Sequence, residues 1–309
     1  MTAKETTKLQ STEIVDSQKN HSRIRSLVVT RLRKVRFSIT TALIIAKKEM
    51  LMILRYPLDV IFWTLMPLMW LIPFVFQGQA LVGSELISEN FTQLTGTVDV
   101  LEFIFIGALL WNILDSAIWG AGNALRWEQH SGTLQYLWLA PISRINLMIG
   151  ASLGSTIWSV IQIAGQFAIL SIFVSWQVTF LDVFMTLIII VLVIIGLYGF
   201  SFAFAGVILM FKEPGVLTEF VDNVLYICSP IRYPVKVLPG WAKWIAWVFP
   251  FSWGLTAIRA LMMTNDSVVS MLYMVGILIA IDIVFWIGGY FIFRLAEKRT
   301  LKHGDLGNF

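Results

Sequence analysis

The side chains able to do chemistry are sparse in this chain and fall into two groups. Asp115 and Asp282 lie alone inside long apolar runs, and a polar stretch from Leu125 to Arg144, LRWEQHSGTLQYLWLAPISR, separates two such runs. A catalytic site needs a nucleophile beside a base, or clustered metal ligands. The only cysteine is Cys228, and the three histidines are far apart in the sequence. The pattern therefore disfavours a membrane-embedded enzyme and a metal site, and it indicates roles in binding, coupling or proton exchange.

The composition places these residues in a membrane protein. Hydrophobic residues make up 57% of the 309-residue chain and charged residues only 14%, and the mean hydropathy is +0.77. Soluble domains are about 25% charged, and a transmembrane helix needs about 20 mostly apolar residues. We therefore expect an all-α integral membrane protein with no soluble catalytic domain between its spans.

The apolar runs predict six transmembrane helices. Their ranges are 58–76, 100–122, 145–174, 182–211, 215–232 and 268–293. Before the first span, residues 38–57 repeat apolar positions at helical spacing with Lys47 and Lys48 on the polar side. This pattern is typical of an amphipathic helix at the membrane surface. Prolines and glycines interrupt residues 234–263, so this region predicts a re-entrant helical hairpin on the outer side before the last span.

The distribution of basic residues orients the spans. Residues 1–37 form a basic tail that we expect to be disordered, and residues 296–309 form a second polar tail. With six spans and both tails in the cytoplasm, the only basic residues outside are Arg232, Lys236, Lys243 and Arg259. Cytoplasmic loops are enriched in Lys and Arg. We therefore expect a multi-pass protein of the inner (plasma) membrane with both termini in the cytoplasm.

One face of the second predicted span and its extension carries five residues at helical spacing: Asn112, Asp115, Ser116, Trp119 and Asn123. Polar side chains inside a span usually face protein or water. We expect this face either to line a substrate path or subunit seam, or to make structural hydrogen bonds. Asp282, in the sixth span, needs a partner from elsewhere in the fold. Arg259 is the candidate partner, and the alternative is a protonated Asp282, which would suit proton coupling.

Two segments resemble the permeases of type-2 ABC exporters. One is RWEQHSGTLQYLWLAPISRINLMIG, and the other is LPGWAKWIAWVFPFSWGLTAIRALMM. The resemblance covers about residues 38–295. The chain departs from the family pattern at Trp127 and Gln129, where a charged pair is usual, and in the SPIRYPVKV segment before Leu238. The sequence contains no phosphate loop of the form G-x-x-x-x-G-K-[ST].

The resemblance implies that this chain is the membrane half of an ATP-driven exporter. A coupling helix, about residues 125–141, would dock onto a separate nucleotide-binding subunit through Arg126, Glu128, His130, Gly132, Thr133, Leu134 and Leu137. Two copies of that subunit would bind ATP and Mg²⁺, so this chain would hold no cofactor of its own. A second permease copy or a paralogue would complete the transporter. The re-entrant region would form an outer gate with Pro239, Trp241, Trp244, Pro250 and Arg259.

The expected cargo is a drug-like or lipid-like amphiphile, because the approach to the first span, RYPLDVIFWTLMPLMW, is similar to the drug- and lipid-exporting branch of the family. A lipid-linked polysaccharide is the nearest alternative. A channel or secondary transporter that works without ATP and uses Asp115 and Asp282 is an alternative of another class. Tryptophans in the 234–263 region favour an aromatic belt at the membrane surface over a carbohydrate site. Membrane lipid is an expected partner, and nucleic acid is not.

Overall fold

The computed structural model describes residues 40–48, 50–51, 54–82, 89–97, 99–121, 128, 132, 136, 144–172, 179–208, 214–263 and 268–303. Every element of regular secondary structure in these ranges is a helix. A helical N-terminal segment (residues 40–48) precedes α1 (Pro57–Val82), α2 (Glu89–Thr95), α3 (Val100–Asp115), α4 (Arg144–Leu170), α5 (Phe180–Ile208), α6 (Pro214–Cys228), α7 (Gly240–Val248), α8 (Pro250–Met263) and α9 (Val268–His303). A π-helical segment (Ser116–Ala121) extends α3, and a short 3-10 helix (Val235–Val237) lies between α6 and α7.

Five helices in the described ranges are long and apolar enough to cross a bilayer: α1, α3 with its π-helical segment, α4, α5 and α9. This confirms a helical membrane protein, and these helices overlap five of the six predicted spans. The remaining predicted span, 215–232, differs, because α6 has only 15 residues and ends at Cys228. At 1.5 Å per residue α6 is about 22 Å long, shorter than a hydrocarbon core of about 30 Å. Pro230 follows closely and cannot continue a helix.

The region predicted as a re-entrant hairpin forms two helices joined by a sharp bend. The axes of α7 and α8 differ by 86°. Phe249 lies at the bend with extended backbone angles, φ −89° and ψ 130°, and Pro250 begins α8. A proline favours an extended conformation in the residue before it and suits the first position of a helix. The two helices together are either one broken span or a re-entrant loop.

Helices α5 and α9 pack together closely because glycines let their backbones approach. A Cβ atom built on Gly289 would lie 2.0 Å from the carbonyl oxygen of Gly199, and one built on Gly206 would lie 2.9 Å from the Cα atom of Phe293. Helices in a membrane associate largely by close packing, for which small residues let the backbones approach. The main apolar cluster extends from this pair to α3, the π-helical segment and α8, and Leu197, Leu255 and Leu278 are fully buried within it.

The N-terminal segment packs closely against α4. Ala42 and Ala46 are buried, and a Cβ atom on Gly150 of α4 would lie 2.8 Å from the carbonyl oxygen of Ala42. Leu43 and Ile44 are exposed, by 58% and 62%. The segment predicted as a helix before the first span is therefore helical over residues 40–48, with Leu43 and Ile44 exposed and Ile45 packed against Gly150 of α4.

Adjacent glycines of α9 offer a test of the α5–α9 packing. Gly289→Ala should lower stability by about 1–3 kcal/mol, because the added methyl group would separate two backbones in contact. Gly288→Ala is the matched control, since no atom lies within 4 Å of its added Cβ and alanine favours a helix over glycine. Thermal unfolding of the detergent-solubilised variants would measure both effects. Equal melting temperatures for the two variants would contradict this packing.

Candidate functional site

The polar face predicted on the second span divides into two faces in the structure. Asn112 and Ser116 are buried, and the side chain of Asn112 donates a hydrogen bond to Gln166 Oε1 of α4 at 2.8 Å. Ser116 Oγ donates to the Ile113 carbonyl of its own helix at 2.9 Å. Asp115 and Trp119 instead lie beside α6, near Asp222. The first pair is therefore structural, and the second pair remains available to a path or seam.

Side-chain amides connect α1, α3 and α4 within the membrane. Gln166 Nε2 donates to the Thr64 carbonyl of α1 at 3.2 Å, and Gln162 Nε2 donates to the Trp63 carbonyl at 3.2 Å. The opposite side of Gln166 bonds Asn112. Such bonds are worth about 0.6–2 kcal/mol each between transmembrane helices. Sequence reasoning missed this network, although two glutamines at i, i+4 in an apolar helix were a visible signal for it.

The facing surfaces of α3 and α6 carry two carboxylates and several aromatic rings. Asp115 and Asp222 are close enough to repel each other, and the Trp119 side chain hydrogen-bonds Asp222. One turn further along, the rings of Trp111 and Tyr226 meet edge to face with centroids 4.8 Å apart. Sequence reasoning did not assign Asp222 to a site. Its position, facing an acid of another helix, depends on tertiary packing and leaves no local pattern.

The other side of α6 is exposed and mixed in polarity. Its exposed residues recur at helical spacing: Val216, Glu219, Phe220, Asn223 and Ile227. Glu219 and Asn223 would be costly in contact with lipid chains, where polar side chains have no water or protein partner. Asn223 Nδ2 donates to the Glu219 carbonyl at 2.7 Å, which satisfies only part of its hydrogen-bonding capacity. This face therefore suits contact with another protein surface or with water.

Asp282 occupies a niche that a glycine creates. Its side chain is buried, and a Cβ atom on Gly196 of α5 would lie 1.9 Å from Asp282 Oδ1. Neither carboxylate oxygen has a hydrogen-bond partner among the described residues. The pairing of Asp282 with Arg259 considered from the sequence is wrong, because the Arg259 guanidinium bonds backbone carbonyls elsewhere in the fold. Asp282 therefore belongs to the packing of α5, α8 and α9, apart from the surface of α3 and α6.

The guanidinium of Arg259 ties three parts of the chain together. It is buried and donates to the carbonyls of Pro230 at 2.5 Å, Ile231 at 2.6 Å and Phe103 at 2.7 Å. It also lies over the Phe103 ring, with its central carbon 3.4 Å from the ring centroid. Gly107 makes this approach possible, because a Cβ atom there would lie 2.1 Å from the Ile231 carbonyl oxygen and 2.5 Å from the guanidinium.

The other residues predicted for an outer gate divide by exposure. Trp241 and Trp244 of α7 are 62% and 76% exposed, and Pro239, which precedes α7, is exposed too. Pro250 is buried at the start of α8. The exposed tryptophans and the buried Arg259 therefore do not form one cluster. The Trp253 indole donates to the Trp247 carbonyl at 2.7 Å, which braces the bend between α7 and α8.

Only Glu128, Gly132 and Tyr136 of the predicted coupling helix fall among the described residues. Glu128 is helical and forms an ion pair with Lys48, with 2.6 Å between Nζ and Oε1. Gly132 lies in a turn with φ +68°, a conformation that favours glycine, and the helical Tyr136 is 75% exposed. The other predicted contacts lie outside the described residues: Arg126, His130, Thr133, Leu134 and Leu137.

Comparison with known protein families identifies the family of this chain. The model of a protein family described as ABC-2 type transporter matches residues 40–263 of the chain. No curated protein matches the chain. Because the family match spans more than two thirds of the sequence, the chain belongs to the ABC-2 type transporter family, as the two sequence segments indicated.

Replacing Arg259 tests the three-carbonyl contact. Arg259→Lys keeps the charge but removes the planar fork that reaches several acceptors, so it should cost about 2 kcal/mol or more, the value of one hydrogen bond to a charged group. Arg294→Lys is the control, at an exposed arginine over the Tyr290 ring. Thermal unfolding in detergent gives the comparison. A melting temperature as high for Arg259→Lys as for Arg294→Lys would refute the role given to this contact.

Proposed function

We propose that this ABC-2 family member is the permease subunit of an ATP-driven exporter of cationic amphiphiles. The chain would work as a dimer in the inner (plasma) membrane, with both termini in the cytoplasm and two copies of a separate nucleotide-binding subunit. Family membership supports the permease role. The observation that carries the choice of cargo is the pair of carboxylates, Asp115 and Asp222, on the facing surfaces of α3 and α6.

The chemistry of this surface favours a positive, partly apolar ligand. Two acids that repel each other are stabilised when a cation lies between them, and the low dielectric of a membrane protein strengthens that attraction. Trp111, Trp119 and Tyr226 add aromatic faces, which attract organic cations. A lipid-linked glycan, the nearest alternative cargo, carries phosphate in its lipid linkage. Its negative charge would be repelled by the same acids.

The exposed face of α6 supports a dimer around the path. Glu219 and Asn223 lie on it and avoid lipid only if another protein surface or a water-filled path covers them. A second copy of the chain, related by a two-fold axis, would bring the same face opposite itself. Glu219 and Asn223 of both copies would then face the path, and each copy would hold its own pair of carboxylates, Asp115 and Asp222, between α3 and α6 beside it.

The polar stretch between α3 and α4 would transmit the action of the ATPase. The Lys48–Glu128 ion pair connects this stretch to the N-terminal segment, and that segment packs on α4 at Gly150. Movement of a docked subunit could therefore reach α3 and α4 together. ATP binding would shift the permease between inward and outward states by the difference in its affinity for them.

Reconstitution tests the ATP-driven mechanism. The permease, co-purified with its nucleotide-binding subunit and placed in liposomes, should move a fluorescent cationic amphiphile only when ATP and Mg²⁺ are present. Leu134→Glu, in the predicted coupling helix, should abolish transport. Lys298→Gln, near the C-terminal end of α9, should leave transport unchanged. Transport by the permease alone, without ATP or a partner, would overturn this mechanism in favour of a channel or secondary transporter.

Charge removal tests the cargo. Asp222→Asn should reduce transport of the cationic amphiphile about tenfold, because it removes one of two attracting charges while keeping the shape of the side chain. The control is Asp59→Asn, at an exposed acid in the first turn of α1. Transport rates and melting temperatures would be measured together, so that misfolding is recognised. An anionic amphiphile carried as fast as the cationic one by the unmodified protein would contradict an acid-lined path.

A further inference from the structure

A cavity lies between α2, the turn after α6, the C-terminal half of α8 and the N-terminal part of α9. Its volume is about 210 Å³, and its walls include Thr97, Phe103, Trp247, Met263 and Met274. The proposed topology places this end of the bundle outside the cell. The cavity is separate from the surface of α3 and α6 that carries Asp115 and Asp222, and neither acid lines it.

The charge of the cavity wall is positive. Lys236 and Arg259 both line it, and no aspartate or glutamate is among the described residues of the wall. Lys236 reaches the Leu94 carbonyl with its Nζ at 3.1 Å. Arg259 is only 7% exposed, and its Nε has no hydrogen-bond partner in the part of the chain that the structure describes. The carbonyls around the guanidinium carry partial charges only, and no acidic side chain among the described residues of the wall pairs with this buried positive charge.

Three threonines extend the polar part of this wall: Thr95, Thr97 and Thr256. The hydroxyl of Thr95 donates to the Phe91 carbonyl at 2.7 Å, and that of Thr256 donates to the Ser252 carbonyl at 2.7 Å. These two hydroxyls use their single proton within the protein, whereas Thr97 Oγ1 accepts from the Asp99 backbone N–H at 3.3 Å and keeps its proton for another acceptor. The wall donors with capacity left for a ligand are therefore the ammonium of Lys236 and the hydroxyl of Thr97, beside the buried positive charge of Arg259, and this set selects an anion.

The size of the cavity limits its occupant. Sites for drug-sized molecules measure about 300–1,000 Å³, so 210 Å³ has room for a compact group and not for a whole amphiphile. The rest of the wall is largely apolar and includes two methionines and a tryptophan, whose surfaces suit the first carbons of a longer molecule. A phosphate group with its glycerol linkage has the required charge and size, and its acyl chains could remain in the bilayer.

We propose that this cavity binds the phosphate-bearing headgroup of an anionic phospholipid, held by Lys236 and Arg259. The site is independent of the path for cargo, and it needs neither ATP nor the nucleotide-binding subunit. It would secure the turn after α6 to α8 and α9, because the headgroup bridges side chains from these elements. The occupant is identified by the two cations, the absence of an acid in the described wall, and the small volume.

Lipid binding to the purified full-length protein tests this site. Delipidated protein would be titrated with phosphatidylglycerol, phosphatidylcholine or glycerol phosphate, with bound lipid counted by native mass spectrometry and stability followed by thermal unfolding. Phosphatidylglycerol should bind at least tenfold more tightly than phosphatidylcholine. Lys236→Gln should weaken phosphatidylglycerol binding about tenfold, the loss expected of one charge-assisted hydrogen bond.

The control is Lys243→Gln, at a lysine of α7 that does not line the cavity. It should leave the preference for phosphatidylglycerol unchanged. Equal binding of the two phospholipids, or an equal effect of the two lysine substitutions, would refute the site. Glycerol phosphate binding as tightly as phosphatidylglycerol would refute the lipid assignment, because it would show a site for free phosphate. None of these outcomes depends on transport, so the proposed function is tested separately.

Discussion

The arrangement of the outer half of the bundle depends on the buried guanidinium of Arg259. It bonds the first turn of α3 at Phe103 and the turn that follows α6 at Pro230 and Ile231. A charged group in a membrane protein is stable only where many polar atoms surround it, and three carbonyls meet that need here. Arg259 therefore joins the start of α3 to the turn after α6. These two helices carry the two acids of the proposed path, so a change in the angle between them would pivot about Arg259.

The rest of the bundle is held by two different kinds of helix contact. On one side, α5 and α9 approach through glycines such as Gly199 and Gly289, and Asp282 is buried in the same contact. On the other side, α1, α3 and α4 are joined by the amide groups of Asn112, Gln162 and Gln166. Close packing cannot slide without breaking many contacts at once. A hydrogen-bonded seam can exchange partners, so α5 and α9 form the more rigid frame against which α3 and α6 can move.

Sequence reasoning located the apolar helices because a membrane span requires a long apolar run, and such a run is visible without tertiary information. It located the bend before α8 for a similar reason, since Pro250 acts locally. It overestimated α6, whose polar residues and following Pro230 shorten the helix. It treated Asn112, Asp115, Ser116 and Trp119 as one face, because residues three and four apart are neighbours on a helix. Residues three apart are still offset by about 60° around the axis, and this offset turns Asn112 towards α4 and Asp115 towards α6.

The partners of buried charged and polar groups were the least predictable feature, and the reason is physical. A sequence shows which charges exist, so it suggested that Arg259 neutralises Asp282. Backbone carbonyls are present at every residue and leave no signal, yet they are the acceptors that Arg259 uses. The same limit applies to Asp222, whose meeting with Asp115 depends on how α6 packs against α3.

The two proposed sites carry opposite charges, and this difference constrains transport. A cationic cargo would be attracted between α3 and α6 by Asp115 and Asp222 and would then leave towards the end of the bundle that holds Lys236 and Arg259. Charges buried in protein are screened by salt much less than charges in water, so an empty outer cavity would oppose the departure of a cation. A bound anionic headgroup would neutralise that cavity and lower the opposing energy. The lipid composition of the outer leaflet would then affect the rate of export through a site that does not contact the cargo.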